Sequence, residues 1–334
     1  MRPETEMEAA GNVCRAAIIQ HPPVFLNLDQ SLKRACSLIA ETAAAGAQVI
    51  AFPETWLPGY PVWVDSAPGA CLWDSAPARI LYRLLTENSM EIPGPQLDQL
   101  RAAAHKAGAH VVMGVHERRG GTLFNTMVFI HRDGEQVRLH RKLVPTYTER
   151  LVWGRGDGST LQALSTEFGP LGGLICWEHW MPMARAATHT HGEAIHVAQW
   201  PGVNDLHMLA SRHYAFEGRC FVLAAGTHLT RGDVLAGARS LAAPDDRALD
   251  LLASIPGDDD TLLQGGGSAV IGPDSTLVAG PLSGPGVVFA DLLLDRLAEA
   301  RMVLDTDGHY SRPDVFQLHV NGRPQRNVTF TTDP

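Results

Sequence analysis

Cysteine is scarce in this chain: five residues in 334, namely Cys14, Cys36, Cys71, Cys176 and Cys220. Their number is odd and no C-x-x-C pair occurs, which argues against a disulfide framework and against a paired-cysteine zinc site. Free thiols of this kind lead us to expect a reducing, cytoplasmic setting. No apolar run approaches the ~18 residues of a membrane helix, so no membrane partner is expected. Basic residues are in deficit, with Lys+Arg 27 against Asp+Glu 36 and a formal charge of −9. That balance leaves little basic surface for nucleic acid or anionic lipid. The opening MRPETEMEAAG carries three glutamates and no apolar core, so it does not read as a secretory signal.

Hydrophobic residues make up 45% and charged residues 19%, the balance of a folded chain rather than a disordered one. Short apolar runs alternate with helical patterns. Residues 13–20 read as a strand. Leu28, Leu32, Ala35, Cys36, Ile39 and Ala43 then recur at helical spacing, and Gly46 ends that stretch. A second strand at 49–52 closes a β-α-β unit. Residues 96–106 read as helix, 110–116 and 123–131 as strands, and Asp133-Gly134 as a hairpin turn into 136–141. The second half repeats this texture. It has strands at 171–176, 194–199, 220–225 and 287–292, helices at 183–191 and 206–217, and a hairpin joining 267–271 to 276–279. The stretch 231–264 reads as the most loop-like interior segment. No linker separates two domains, so we expect one domain over 12–320, a mobile 1–11 and a polar tail from 321 to 334. Alternation of this kind favours layered α/β architecture, which places chemistry at the C-terminal ends of strands.

Several common catalytic signatures are missing. There is no G-x-S-x-G elbow, no Walker loop and no H-E-x-x-H. Gly265-Gly266-Gly267 precedes a strand rather than a helix, which does not suit a phosphate cradle. His189 and His191 stand two apart on a predicted helix and face different ways, so no metal site is expected there. Three strand ends do carry reactive side chains: Glu54, Lys142 and Cys176. Each has a plain reading: a capping carboxylate, a solvated lysine, a buried structural thiol. Together they complement one another. A thiol needs a base to become a nucleophile, a carboxylate can take its proton, and an ammonium can hold the negative charge that follows.

Phe52-Pro53-Glu54-Thr55-Trp56 resembles the first active-site segment of the nitrilase branch of the carbon–nitrogen hydrolase superfamily. The run from His140-Arg141-Lys142-Leu143-Val144-Pro145-Thr146 through Glu149-Arg150 to Trp153-Gly154-Arg155-Gly156-Asp157-Gly158 resembles the second. Gly172-Gly173-Leu174-Ile175-Cys176-Trp177-Glu178-His179 resembles the third, and residues 307–316 (DGHYSRPDVF) resemble that branch's C-terminal segment. The resemblance keeps the family's order over about residues 12–320.

The resemblance implies a four-layer α-β-β-α sandwich that pairs into homodimers or larger homo-oligomers. It implies a cofactor-free, metal-free enzyme that hydrolyses a small-molecule nitrile to the acid and ammonia. Cys176 would be the nucleophile, Glu54 the general base and Lys142 the electrostatic stabiliser. Glu149 would position substrate and help proton transfer; a salt bridge to Arg150 or Arg155 is its plain alternative. The Trp177 backbone N–H would join Lys142 at the developing anion. His179 stands where many nitrilases carry Asn. Tyr60, Trp63, Trp177, His179, Trp180 and Trp200 are candidates to line the substrate site, with core packing an equal reading for Tyr60, Trp63, Trp180 and Trp200. An amidase or carbamoylase on the same fold, and an inactive binding or filament-forming relative, remain the alternatives.

Overall fold

The computed structural model describes residues 12–325 and Val328. The expected mobile segment 1–11 and most of the tail beyond 325 lie outside the described residues. The strands are β1 (Val13–Ile19), β2 (Val49–Ala51), β3 (His110–Arg119), β4 (Thr122–Ile130), β5 (Val137–Arg141), β6 (Leu164–Thr166) and β7 (Gly169–Ile175). They continue with β8 (Ile195–Gln199), β9 (Phe221–Ala225), β10 (His228–Thr230), β11 (Leu262–Gly265), β12 (Ala269–Ile271), β13 (Leu277–Ala279) and β14 (Val287–Leu293). The helices are α1 (Leu28–Ala44), α2 (Trp63–Ser66), α3 (Ala76–Glu87), α4 (Pro95–Ala107) and α5 (Pro182–His189). They continue with α6 (Asp205–Gly218), α7 (Arg231–Arg239), α8 (Asp246–Ala253) and α9 (Asp295–Val303).

Two six-stranded sheets form the centre, in the orders β14-β1-β2-β3-β4-β5 and β13-β12-β9-β8-β7-β6. Each joins a parallel core, β1-β2-β3 or β7-β8-β9, to antiparallel flanks. The parallel pairs follow from the β-α-β crossovers, which need a helix's length of chain to return. The sheets pack face to face. Ala16, Ile18, Val112, Met127 and Phe129 of the first meet Leu174, Val197, Leu223 and Val270 of the second in one core. The opposite face of the first sheet, with Ala17, Ile50, Val111 and Val128, is covered by Leu32, Ala35 and Ile39 of α1 and Leu97, Leu100 and Ala104 of α4. Ala210, Tyr214 and Ala215 of α6 join the core on the second sheet. The expected four-layer sandwich is therefore the observed one.

The segment 231–264 departs from expectation. It holds α7, α8 and β11, and the first two pack with α3 and Phe25 in a third apolar cluster. The apolar positions Val234, Leu235, Ala238, Ala248 and Leu252 are few, and Gly, Asp and Pro between them mask the helical period. The local cue was Thr230, whose side chain caps the Asp233 N–H while Asp233 accepts the Thr230 N–H in return. The described part of the tail folds back on its own chain, with the Gln325 N–H donating to Asp157 Oδ2 at 2.8 Å. No helix among the described residues is long and apolar enough to cross a membrane.

Candidate active site

Glu54, Lys142 and Cys176 each leave the C-terminal end of a strand: β2, β5 and β7 respectively. The two sheets bring these ends together. A carboxylate oxygen of Glu54, one of Glu149 and Cys176 Sγ lie within 4.8 Å of one another. All four side chains are buried, Cys176 being the most exposed at 3%. Lys142 sits among them, its Nζ donating to Glu54 Oε1 at 2.8 Å and to Glu149 Oε2 at 2.7 Å. Glu149 pairs with Lys142, not with Arg150 or Arg155, and also accepts from the Tyr60 hydroxyl at 3.1 Å.

The surrounding backbone holds this cluster. Gln199 Nε2 donates to Phe52 O, and the Glu54 N–H reaches Trp200 O at 3.4 Å. Glu149 Oε2 also accepts the Thr146 N–H, which fixes the short 3₁₀ turn Tyr147–Leu151. Glu178 ties the turn at Cys176 to the end of the strand that carries Lys142. Its carboxylate accepts from the Ile175 N–H, the Leu143 N–H and His140 Nε2, each at 2.7–2.8 Å. Burial works against that charge, but His140 and the two amides outweigh it and hold the carboxyl below its usual range.

Backbone strain concentrates here. Thr55, Tyr147 and Cys176 all take left-handed φ values, of 43°, 43° and 54°. Non-glycine residues pay roughly 1–2 kcal/mol for that conformation. Each is, or stands within two residues of, Glu54, Glu149 or the cysteine.

The electrostatics follow from burial. Desolvation lifts the Glu54 carboxyl to about 7, against the lowering pull of Lys142 and with a further lift from Glu149. Desolvation also raises the Cys176 thiol well above its ordinary value, reinforced by Glu54 and only partly opposed by Lys142 and the Trp177 N–H. The group therefore rests as a thiol near neutral pH. Burial disfavours the Lys142 ammonium, but Cys176, Glu54 and Glu149 together outweigh it and raise its pKa, so it stays charged. Glu54 Oε1 is saturated by Lys142 and by Asn125 Nδ2 at 2.6 Å, while the buried Oε2 has no partner among the described residues.

Two groups among the described residues bring three metal-capable atoms together. The first, Glu54, Glu149 and Cys176, already holds the Lys142 ammonium between its carboxylates, which suits a dication poorly. The second, His110, His131 and Glu167, holds an Arg132 guanidinium on Glu167 at 2.5 Å. His189 and His191 diverge, to Glu217 and to Leu161 O.

Of the candidate lining residues, Tyr60 reaches the cluster through Glu149. Trp177 is half exposed at 52% and borders an apolar groove of about 760 Å³ with Val144, Tyr147 and Trp180. His179 is buried and donates from Nδ1 to Cys176 O at 2.8 Å. Trp200 is also buried, stacked on His179 and on His207, with its Nε1–H on Ser211. Trp63 is packed in the third cluster. Sequence reasoning did not single out Asn125, Glu193 or His196. The signal was available for Asn125 and His196, as polar residues inside the apolar runs LFNTMVFI and IHVAQ.

A thiol, two carboxylates and an ammonium thus meet in one buried cluster. The chain belongs to the carbon–nitrogen hydrolase family, whose profile matches residues 15–302. Its similarity runs to the nitrilase branch. A nitrilase of Bradyrhizobium diazoefficiens is 39% identical over 320 residues, 95% of either chain. An aliphatic nitrilase of Sinorhizobium fredii is 38% identical over 94% of this chain and 97% of its own. A carbon–nitrogen hydrolase structure from Helicobacter pylori shares the fold, with a TM-score of 0.66 at 17% identity, covering 92% of this chain and 97% of that one.

Proposed function

We propose that this chain hydrolyses a nitrile to the carboxylic acid and ammonia through a covalent intermediate on Cys176. The observation that carries the reading is the unpartnered Glu54 Oε2 beside a thiol and a paired ammonium. Glu54 Oε2 takes the Sγ proton as sulfur attacks the nitrile carbon. The C–S bond forms as one C–N π bond breaks, and the nitrogen takes up a proton. Two of the three Lys142 N–H bonds go to Glu54 and Glu149; the third is left, with the Trp177 N–H, to stabilise the developing anion. Water adds to the thioimidate, and the tetrahedral species expels ammonia to leave a thioester. A second water releases the acid and returns the thiol. Glu149, bonded to Lys142 and Tyr60, holds the lysine and is the second carboxylate in reach of the incoming water.

The five free thiols support a reducing, cytoplasmic setting, and the exposed Val315, Phe316, Leu318 and Val320 support a homo-oligomer. Incubation with a nitrile and separately with its amide, following ammonia, tests the reaction. The reading predicts release from the nitrile. Release from the amide alone would make the chain an amidase.

A further inference from the structure

A line of buried polar side chains leads away from Cys176 and plays no part in the steps above. His179 Nδ1 lies 2.8 Å from Cys176 O, and His179 Nε2 lies 3.0 Å from His196 Nε2. His196 Nδ1 lies 3.1 and 3.0 Å from Glu193 Oε1 and Oε2, and Tyr214 donates to Glu193 Oε2 at 2.6 Å. His179, His196, Glu193 and Tyr214 are all buried.

The direction of every proton follows from the acceptor at the end of the line. A carbonyl oxygen only accepts, so His179 carries its proton on Nδ1. Its Nε2 is then bare and accepts from His196 Nε2–H. His196 Nδ1, bare in turn, accepts from a protonated Glu193, whose Oε2 is occupied by Tyr214. Burial supports this neutral arrangement, lifting the Glu193 carboxyl to about 7 and lowering His179 to about 3. The donors run one way: Glu193 to His196 to His179 to Cys176 O.

Cys176 O and the Trp177 N–H belong to one peptide unit. That unit is planar and trans, so the two groups point in opposite directions. Holding the carbonyl aims the N–H, and a hydrogen bond to the carbonyl polarises the N–H as a donor. The Trp177 N–H is the backbone donor that pulls against the rise of the Cys176 thiol. We propose that His179 is a positioning residue, set in a single tautomer by His196 and Glu193, that fixes and polarises the Cys176–Trp177 peptide for binding the anion formed on substrate. The proposal rests on the nitrile-hydrolysis reading and adds three residues to it.

The test exploits a geometric distinction. The Asn amide nitrogen sits where His Nδ1 sits, and the Gln amide nitrogen where His Nε2 sits. His179→Asn keeps a donor to Cys176 O; His179→Gln and His179→Leu do not. Misplacing a donor of this kind by ~1 Å costs about a hundredfold. We expect kcat to fall about a hundredfold in the Gln and Leu variants with KM within about threefold, and less than about tenfold in the Asn variant. An amide has no tautomer to set. Glu193→Leu should therefore lower kcat in the parent but add nothing in His179→Asn, while Glu193→Gln, which still donates to His196, stays within about threefold in both. Equal activity of the three His179 variants, or an equal cost of Glu193→Leu in both backgrounds, would overturn the proposal. Iodoacetamide alkylation of Cys176, in a Cys71→Ser background because Cys71 is exposed, reads the same ranking without a nitrile. If the parent releases no ammonia but the alkylation ranking holds, the nitrile reading fails and the relay stands. Should the variants melt early, ¹⁵N-histidine spectra of the parent decide: the proposal requires a protonated Nδ1 and a bare Nε2 on His179, and the opposite tautomer contradicts it.

Discussion

Glu54 is buried beside a lysine and keeps one oxygen without a partner among the described residues. Its carboxyl, lifted to about 7 by desolvation, is divided between both forms near neutral pH. Only the ionised form can take the Cys176 proton. Activity should therefore be lost as pH falls through about 7, giving a rising limb in kcat/KM from acid to neutral. Glu193 sits near the same value, so the limb should persist in Glu193→Gln. A profile flat from pH ~5 to 8 would remove Glu54 as the base. At this scale the sequence was informative where a reactive side chain ends an apolar run, as at Glu54, Lys142 and Cys176. It marked Asn125 and His196 only as polar residues within apolar runs and did not name their partners, which are 71 and 17 residues away in the chain. Contacts of that kind exist only once the strands are paired.

Gly114 of β3 shows how an element sets the site. A Cβ there would lie 2.1 Å from Pro53 O and 2.5 Å from Thr55 N, the backbone on either side of Glu54. The strand can approach the 53–55 segment only because it has no side chain at this point. Gly114→Ala must push that segment by about 1 Å, and we expect kcat to fall about a hundredfold while far-ultraviolet dichroism keeps its parental shape. Wild-type kcat in this variant would show that Glu54 is not held by β3. Strands such as β3 and β7 were legible because their runs are long and apolar. Helices α7 and α8 were not, because their apolar positions are few and their stability comes from packing against α3 and Phe25.

Burial shifts several ionisable groups across the molecule. Burial lowers the pKa of His21, His110, His116, His179, His196 and His207. It raises Glu54 and Glu193 to about 7. A histidine lowered on folding contributes stability above pH ~6.5 that is lost as pH falls. A carboxyl raised on folding contributes below pH ~4.5 and loses that as pH rises. Between pH 7 and 5 the six histidines outweigh the two carboxyls, because the unfolded chain takes up more protons than the folded one. The melting temperature should therefore be lower at pH ~5.5 than at pH ~7.5; the reverse order would mean that these histidines are charged in the folded state. The central claim, a carbon–sulfur bond to Cys176 during turnover, is read directly on the intact chain. Acid quench during nitrile turnover, followed by intact-mass spectrometry and peptide mapping, should show one adduct of thioimidate or acyl mass on the peptide containing Cys176. Cys176→Ala should show neither adduct nor ammonia. Ammonia release at the parental rate from Cys176→Ala would contradict the nucleophile and the mechanism built on it.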